Sequence, residues 1–321
     1  MEVFSLTLTQ MLMMAIFIAT GFILHKTKIL PENADVAMAR LQVYVFSPAQ
    51  ALWAMSTHCT VKTFVDNSYL ILFGLAIVLV LLLLSYPVSG LFIKNPKKDP
   101  KIAYQRNVYK YALTFANYSY MGNFLILGLW GTEMLFKYSM FKLPMDILCS
   151  TWAIYILVPK DQSSGLLKNL VKGLVTPPII AVIIGIAMGL LDLAKYIPDF
   201  MLTAFENASN CMGPNAMLIA GFAIGGYNFI ELFKNKKVYI LTALRLFVIP
   251  ALLVIILRWF GAEADIITFS LIAYAAPLGM NTIVFPATYG GETHTGASMV
   301  LISTILSVIT IPILFYMFVT I

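Results

Sequence analysis

Charge is scarce in this chain: of its 321 residues only 11% are Asp, Glu, Lys or Arg, against 60% hydrophobic, and the mean hydropathy is +0.87. So little polar surface cannot clothe a soluble globule of this length, and the composition is that of an integral membrane protein with many spans. Cysteine and histidine are scarcer still. Cys59, Cys149 and Cys211 are far apart and show no ligand spacing, which excludes a disulfide framework or a metal cluster and leaves them as small packing residues. His25, His58 and His294 flank the ends of apolar runs, without an i, i+4 partner of metal-site type. The chain also lacks H-E-x-x-H, G-x-S-x-G and a nucleotide-binding loop, so zinc proteases, nucleophile-elbow hydrolases and nucleotide-driven pumps are excluded and no enzyme or cofactor is expected. The basic excess of +6 sits in short loops between apolar runs, where membrane topology explains it and nucleic acid need not.

What the chain has in abundance is long apolar runs. Spans are expected at roughly 4–24, 34–56, 68–93, 105–130, 133–158, 171–191, 197–226, 238–260, 264–289 and 294–319. The first, Leu6 to Leu24, is too long for a signal-peptide core and has no basic leader, so it reads as a retained helix. Alternate connections differ sharply in basic residues. One side carries Lys26, Lys28, Lys94, Lys97, Lys98, Lys101, Arg106, Lys110, Lys160, Lys168, Lys172, Lys234, Lys236 and Lys237; the other carries Lys62, Lys137, Lys142, Lys195 and Arg258. The richer side is cytoplasmic by the positive-inside rule, which puts both termini outside the cell membrane.

The stretch from Thr268 to Met299 is apolar enough for lipid yet interrupted midway by Pro277, Gly279 and Asn281, and closed by Pro286, Gly290 and Gly291. A proline removes one donor and blocks the helical bond of the preceding turn, so freed backbone groups need protein or a polar cavity around them. Broken helices at mid-membrane depth form binding sites in transporters, because a half-helix amino terminus presents free N–H groups and a positive dipole end. An ordinary proline kink is the plain alternative for one such stretch. A second interruption in the matching place decides between them.

That second interruption lies in the fourth span, where Asn117, Ser119, Gly122 and Asn123 cluster within an apolar run. Buried asparagine is costly unless hydrogen-bonded, so these groups either tie helices together or line a cavity. The sixth span opens on the inside whereas the first opens outside, so two similar halves of five helices, 1–158 and 159–321, are inverted copies. Spacing supports the match. Pro31 and Pro48 around the second span parallel Pro198 and Pro214 around the seventh, and Trp130 to Glu133 parallels Tyr289 to Glu292. Sliding back along that register sets Asn117 to Gly122 against Ala276 to Asn281.

Residues 117–125, NYSYMGNFL, resemble the N-x-G-x-x-G-x-P-L element of the auxin efflux carrier family of secondary transporters. Pro277, Phe285, Tyr289-Gly290, Ala297-Ser298, Ser303-Thr304, Ser307 and Ile311-Pro312 resemble that family's last two helices. Weaker echoes fall at Lys28 to Leu30, Val45 to Ala49 and Thr176 to Ile180. Two departures matter: Ser119 stands for the usual glycine and Phe124 for the usual proline, so the fourth helix is expected to be less sharply broken than the ninth. The short connection at Pro159 to Lys168 looks like the compact microbial forms. The resemblance implies an all-α fold similar to bile-acid sodium symporters and sodium–proton antiporters: ten helices as two inverted repeats, with crossed broken helices. Scaffold helices would then fall at about 4–56 and 171–226, and a moving transport unit at about 68–158 and 238–319, with elevator-like alternating access. Its substrates would be organic anions, auxin-like or malate- and malonate-like.

Ionisable residues within spans are functional candidates. Asp146 and Glu206 are the candidates for proton coupling: Asp146 either carries a proton or pairs with an arginine, and Glu206 shares a helix face with Ser209 and Asn210 that suits a cavity wall. Arg40 and Arg245 lie near inner span ends, where long side chains snorkel to the interface. Gly185 to Gly189 and Gly221 to Gly225 are G-x-x-x-G patterns suited to scaffold packing or a homodimer. No lysine or arginine falls near the broken segments at 117–123 and 276–281, so a carboxylate there is expected to be held by backbone amides and asparagines rather than by an ion pair. The expected partners are therefore lipid, a small organic carboxylate, protons and a second copy of the chain. A channel, or a ligand sensor using the same crossed helices, is the other reading. It lacks the repeated filter or charged ring that channels show.

Overall fold

The computed structural model describes residues 2–94, 99–157, 174–288 and 292–319, and every regular element among them is helical. We number the helices α1 (Glu2–Lys26), α2 (Ala34–Leu41), α3 (Ser47–His58), α4 (Val61–Asn67), α5 (Tyr69–Phe92), α6 (Pro100–Thr114), α7 (Tyr120–Leu148), α8 (Ile154–Leu157), α9 (Pro177–Leu190), α10 (Asp199–Gly225), α11 (Phe229–Leu232), α12 (Lys236–Ala243), α13 (Ile249–Trp259), α14 (Ala264–Ala275), α15 (Asn281–Thr288) and α16 (His294–Phe318). Each expected span is occupied by helix. By length and composition, Val3–Lys26, Val61–Phe92, Tyr120–Leu157, Lys236–Trp259 and His294–Phe318 are long and apolar enough to cross a bilayer. The remaining spans are shorter, broken or more polar.

Local chemistry explains the boundaries. Asp99 caps α6 by accepting from the Lys101 amide at 2.8 Å, with Pro100 in the first helical position where its missing donor is harmless. Thr60 and Thr63 form a reciprocal capping box that restarts the chain as α4. Widened π turns at Gln42–Phe46 and Leu244–Val248 join α2 to α3 and α12 to α13, just before Pro48 and Pro250. A proline leaves an unpaired carbonyl one turn back, and a π turn absorbs the mismatch without ending the helix. Gly131, inside the long run of α7, takes φ +77 and ψ −166, a conformation an L side chain resists. It divides the fourth span from the fifth where the sequence places that boundary.

Packing falls into two groups. Helix α1 lies along α10, and α9 along α3, with approaches so close that a Cβ at Gly221 would meet the Ile18 carbonyl and one at Gly189 the Cys59 carbonyl. Both G-x-x-x-G patterns are therefore used within the chain. Helices α5 to α7 pack together, as do α12 to α16. The first group meets the second where α1 touches α16 and α3 and α10 touch α7. Their boundary is where the broken helices lie.

Candidate functional site: a crossing of two interrupted helices

Both interruptions are complete. Helix α6 ends at Thr114 and α7 begins at Tyr120; α14 ends at Ala275 and α15 begins at Asn281. Ser119 in place of glycine does not close the fourth helix: the chain leaves helix at Phe115, which is extended, and Ala116, which pairs with Leu278, both upstream of Ser119. By these ends Asn117 corresponds to Leu278, two residues on from the register that the glycine–glutamate endings suggest. Of those endings, Tyr289, Gly290 and Gly291 lie outside the described residues. Pro286 does not close the last half-helix, since α15 runs past it to Thr288.

The two extended segments cross and bond to each other. Ala116 and Leu278 form an antiparallel bridge, and the Asn117 amide donates to the Pro277 carbonyl at 2.7 Å. Backbone groups freed by the breaks are satisfied locally: the Leu278 amide donates to Ser303 Oγ at 2.9 Å, and the Tyr138 hydroxyl donates to the Tyr118 carbonyl at 2.9 Å. Buried backbone must find such partners away from water. Gly279 sits so close that a Cβ there would lie 3.2 Å from the Ala116 carbonyl.

A cavity of about 160 Å³ opens beside this crossing. Asn117, Ser119, Asn123, Gly279, Asn281 and Asp146 line it, as does Lys142. Gly122 and Pro277 do not. A Cβ at Gly122 would lie 2.5 Å from the Tyr138 hydroxyl, so this glycine makes room for the ring that braces the break. Pro277 acts through its carbonyl. Glu206 is exposed and apart from the cavity, while Ser209 on the same helix is buried.

Three helix amino ends converge here. Ser119 and Tyr120 bring that of α7, Met280 and Asn281 that of α15, and Thr176 and Pro178 that of α9. Each presents the positive end of a helix dipole; α9 opens on Pro177-Pro178 and so adds no N–H in its first two positions, and the Met121 and Gly122 amides of α7 already donate to the Asn117 carbonyl. The third was not evident in sequence, although the Thr-Pro-Pro start of α9 marks a helix beginning. Lys142 Nζ lies 2.6 Å from Asp146 Oδ2 one turn away, with side chains only 7% and 19% exposed. Lys142 thus belongs to the cavity wall and not to an outer loop, which sharpens the cation asymmetry between the two sides. A Lys and an Asp four apart in an otherwise apolar run are a legible signal of a buried pair.

Other polar groups complete the wall. Asn123 Nδ2 donates to Gln50 Oε1 at 2.6 Å, and its own Oδ1 is buried with no partner. Asn281 Nδ2 reaches Cys149 Sγ at 3.4 Å, and the Tyr111 hydroxyl approaches the same sulfur at 3.6 Å. Tyr111, Tyr118 and Tyr120 give it aromatic surface. Arg40 is exposed, as snorkelling requires, but Arg245 is fully buried on its π turn. No group of three His, Cys, Asp or Glu among the described residues has the geometry to hold a metal ion.

The family model described as membrane transport protein matches this chain in two stretches, residues 6–168 and 163–315. Among curated proteins none matches.

Proposed function

Since the chain belongs to the membrane transport protein family of the auxin efflux carriers, we propose that it is a secondary carrier moving a small organic carboxylate across the cell membrane by alternating access. The observation that carries this reading is the cavity at the helix crossing, where three helix amino ends surround the Lys142–Asp146 pair. Amino ends and a lysine favour an anion, and the asparagines fix its orientation. The site lies between the two packing groups, so sliding α5–α7 and α12–α16 past α1–α3, α9 and α10 would carry it from one side to the other, as in an elevator. Inverted repeats, with both termini outside, supply the two end states.

Asp146 ties coupling to binding. While ionised it occupies Lys142; a proton on Asp146 frees the ammonium for the substrate carboxylate, so substrate and proton travel together. Binding is expected to be weak. Each bond to the charged group contributes about 1.5–3 kcal/mol, offset in part by several kcal/mol of desolvation per ion, which gives dissociation constants on the order of micromolar to millimolar.

A thermal-shift screen of the purified protein against carboxylic acids, neutral sugars and organic amines tests the substrate class, because a ligand of the folded state raises its apparent stability. A carboxylate should give the largest shift; an amine or a sugar in that place refutes the anion reading. Counterflow in proteoliposomes then separates carrier from channel. Saturable exchange is expected, and large single-channel currents would overturn it.

A further inference from the structure

A second recess, of about 400 Å³, opens away from the crossing, where the end of α5 meets α6 and the starts of α12 and α16. Gln105, Tyr109, Asn235, Lys236, Lys237 and Thr295 line it, together with Lys234. Lys234 is paired with Glu231, but Lys236 and Lys237 form no ion pair among the described residues. Two uncompensated ammonium groups thus border a space whose other polar lining is neutral: the amides of Gln105 and Asn235 and the hydroxyls of Tyr109 and Thr295. Tyr109 and Thr295 are only 1% and 6% exposed. Glu292 Oε1 accepts from the Thr295 amide at 2.8 Å, and Glu292 does not line the recess.

Depth and neighbours define what fits. The recess lies where the membrane-crossing stretch Val61–Phe92 ends and the stretch Lys236–Trp259 begins, the level at which hydrocarbon gives way to headgroups. Lys236 shares a face of α12 with Tyr239 and Ile240, three and four residues on. Both are exposed, as is Leu91 in the last turn of α5. One helix face therefore passes from ammonium to bare apolar surface within a turn, which suits an amphiphile with an anionic head and a hydrocarbon tail. A free anion would use only the first half of it. Basic pockets between membrane helices take anionic headgroups, and a phosphate offers several acceptor oxygens to donors of this kind.

We propose that this recess binds the phosphate group of an anionic phospholipid, with Lys236 and Lys237 as its counter-charges and Gln105, Asn235 and Thr295 as neutral donors. A headgroup held there bridges α6, which leads into the first break, and α16, which follows the second. Its occupancy stabilises the folded protein by holding these helices together. The inference depends neither on the solute nor on which side of the membrane the recess faces.

The test is the melting temperature of the detergent-purified protein in mixed micelles holding equal mole fractions of phosphatidylglycerol or phosphatidylcholine. A third arm uses lipid-free micelles with sodium phosphate in place of sodium chloride at equal ionic strength. The wild type should melt a few degrees higher with phosphatidylglycerol than with phosphatidylcholine, and inorganic phosphate should reproduce little of that rise. Lys236→Gln/Lys237→Gln should lose at least half of the rise. Lys28→Gln/Arg40→Gln, which removes as many charges from exposed positions outside the recess, should keep it. Lys236 and Lys237 are themselves exposed, so folding should survive their replacement; if the pair does not fold, each single substitution is read in the same way. Equal loss in both double variants overturns the proposal, since surface charge alone would then explain the rise. It is also overturned by a rise with inorganic phosphate as large as that with phosphatidylglycerol, or by no difference between the two lipids.

Discussion

The side-chain amide of Asn123 donates to the side-chain carbonyl of Gln50 at 2.6 Å, and this bond joins the second half of a broken helix to α3 across the boundary between the two packing groups. Any sliding of one group along the other must break it. In Gln50→Ala the tie is gone while Lys142, Asn117 and Asn281 remain in the cavity wall, so exchange should accelerate by about fivefold, the equivalent of one net hydrogen bond of about 1 kcal/mol. Half-saturating substrate concentration should stay within about twofold. Slower exchange, or a large affinity loss at unchanged rate, counts against a sliding interface here.

Asn117 and Asn281 reach the cavity from opposite breaks. Replacing either with Ala removes a side-chain donor but leaves the backbone bond from Asn117 to Pro277 in place. Transport should be lost in both variants, with folded yield nearly that of the wild type. Normal uptake by both would remove the crossing from the substrate path.

Lys142 and Asp146 call for a double-mutant cycle. Breaking a buried pair by removing one partner costs about 3–5 kcal/mol because an uncompensated charge remains, so Lys142→Met should be markedly destabilised. Lys142→Met combined with Asp146→Leu should regain most of that stability and still fail to transport. Asp146→Asn should retain carboxylate binding while its transport no longer responds to an imposed proton gradient. If Asp146→Asn transport remains driven by that gradient, the proton path lies elsewhere.

Gly122 separates a structural role from a binding one. A methyl there would sit 2.5 Å from the Tyr138 hydroxyl and push it off the Tyr118 carbonyl. Loss of that buried bond leaves the Tyr118 carbonyl unsatisfied, at about 1–3 kcal/mol. Gly122→Ala should therefore lower the melting temperature, whereas Gly122→Ala paired with Tyr138→Phe should not fall further than either change alone. Full additivity of the two would show that they act independently.

Orientation rests on the basic residues of alternate connections, and the burial of Lys142 removes one from the poorer side. A cysteine added at either terminus should react with an impermeant maleimide in intact cells. Reaction only after permeabilisation reverses the orientation.

Much of this fold is legible residue by residue. Pro277, Gly279 and the Asn117 cluster announced both breaks, since a backbone that cannot close its own hydrogen bonds in lipid has to be housed in protein. The apolar runs determined where helices lie, and Gly131 marked the turn between the fourth and fifth because only glycine adopts its φ readily. Less legible was the wall of the cavity. Lys142 is 25 positions from Asn117 and returns to it only because the chain reverses at Gly131; counting by loops assigned it to the wrong place.

Arg245 shows the same limit in another form. A position near a span end says how far a side chain must reach to find water, but not whether a neighbouring helix stands in the way; α14 and α16 do. The Thr-Pro-Pro start of α9 likewise told where a helix begins and nothing of what its amino end faces. Composition, proline placement and periodicity act along the chain, so the sequence by itself determined the membrane-spanning, all-helical character of this protein and its two interrupted helices. Which charges meet at their crossing was decided only by tertiary packing, because burial and pairing depend on elements far apart in sequence being brought to a few ångströms of each other.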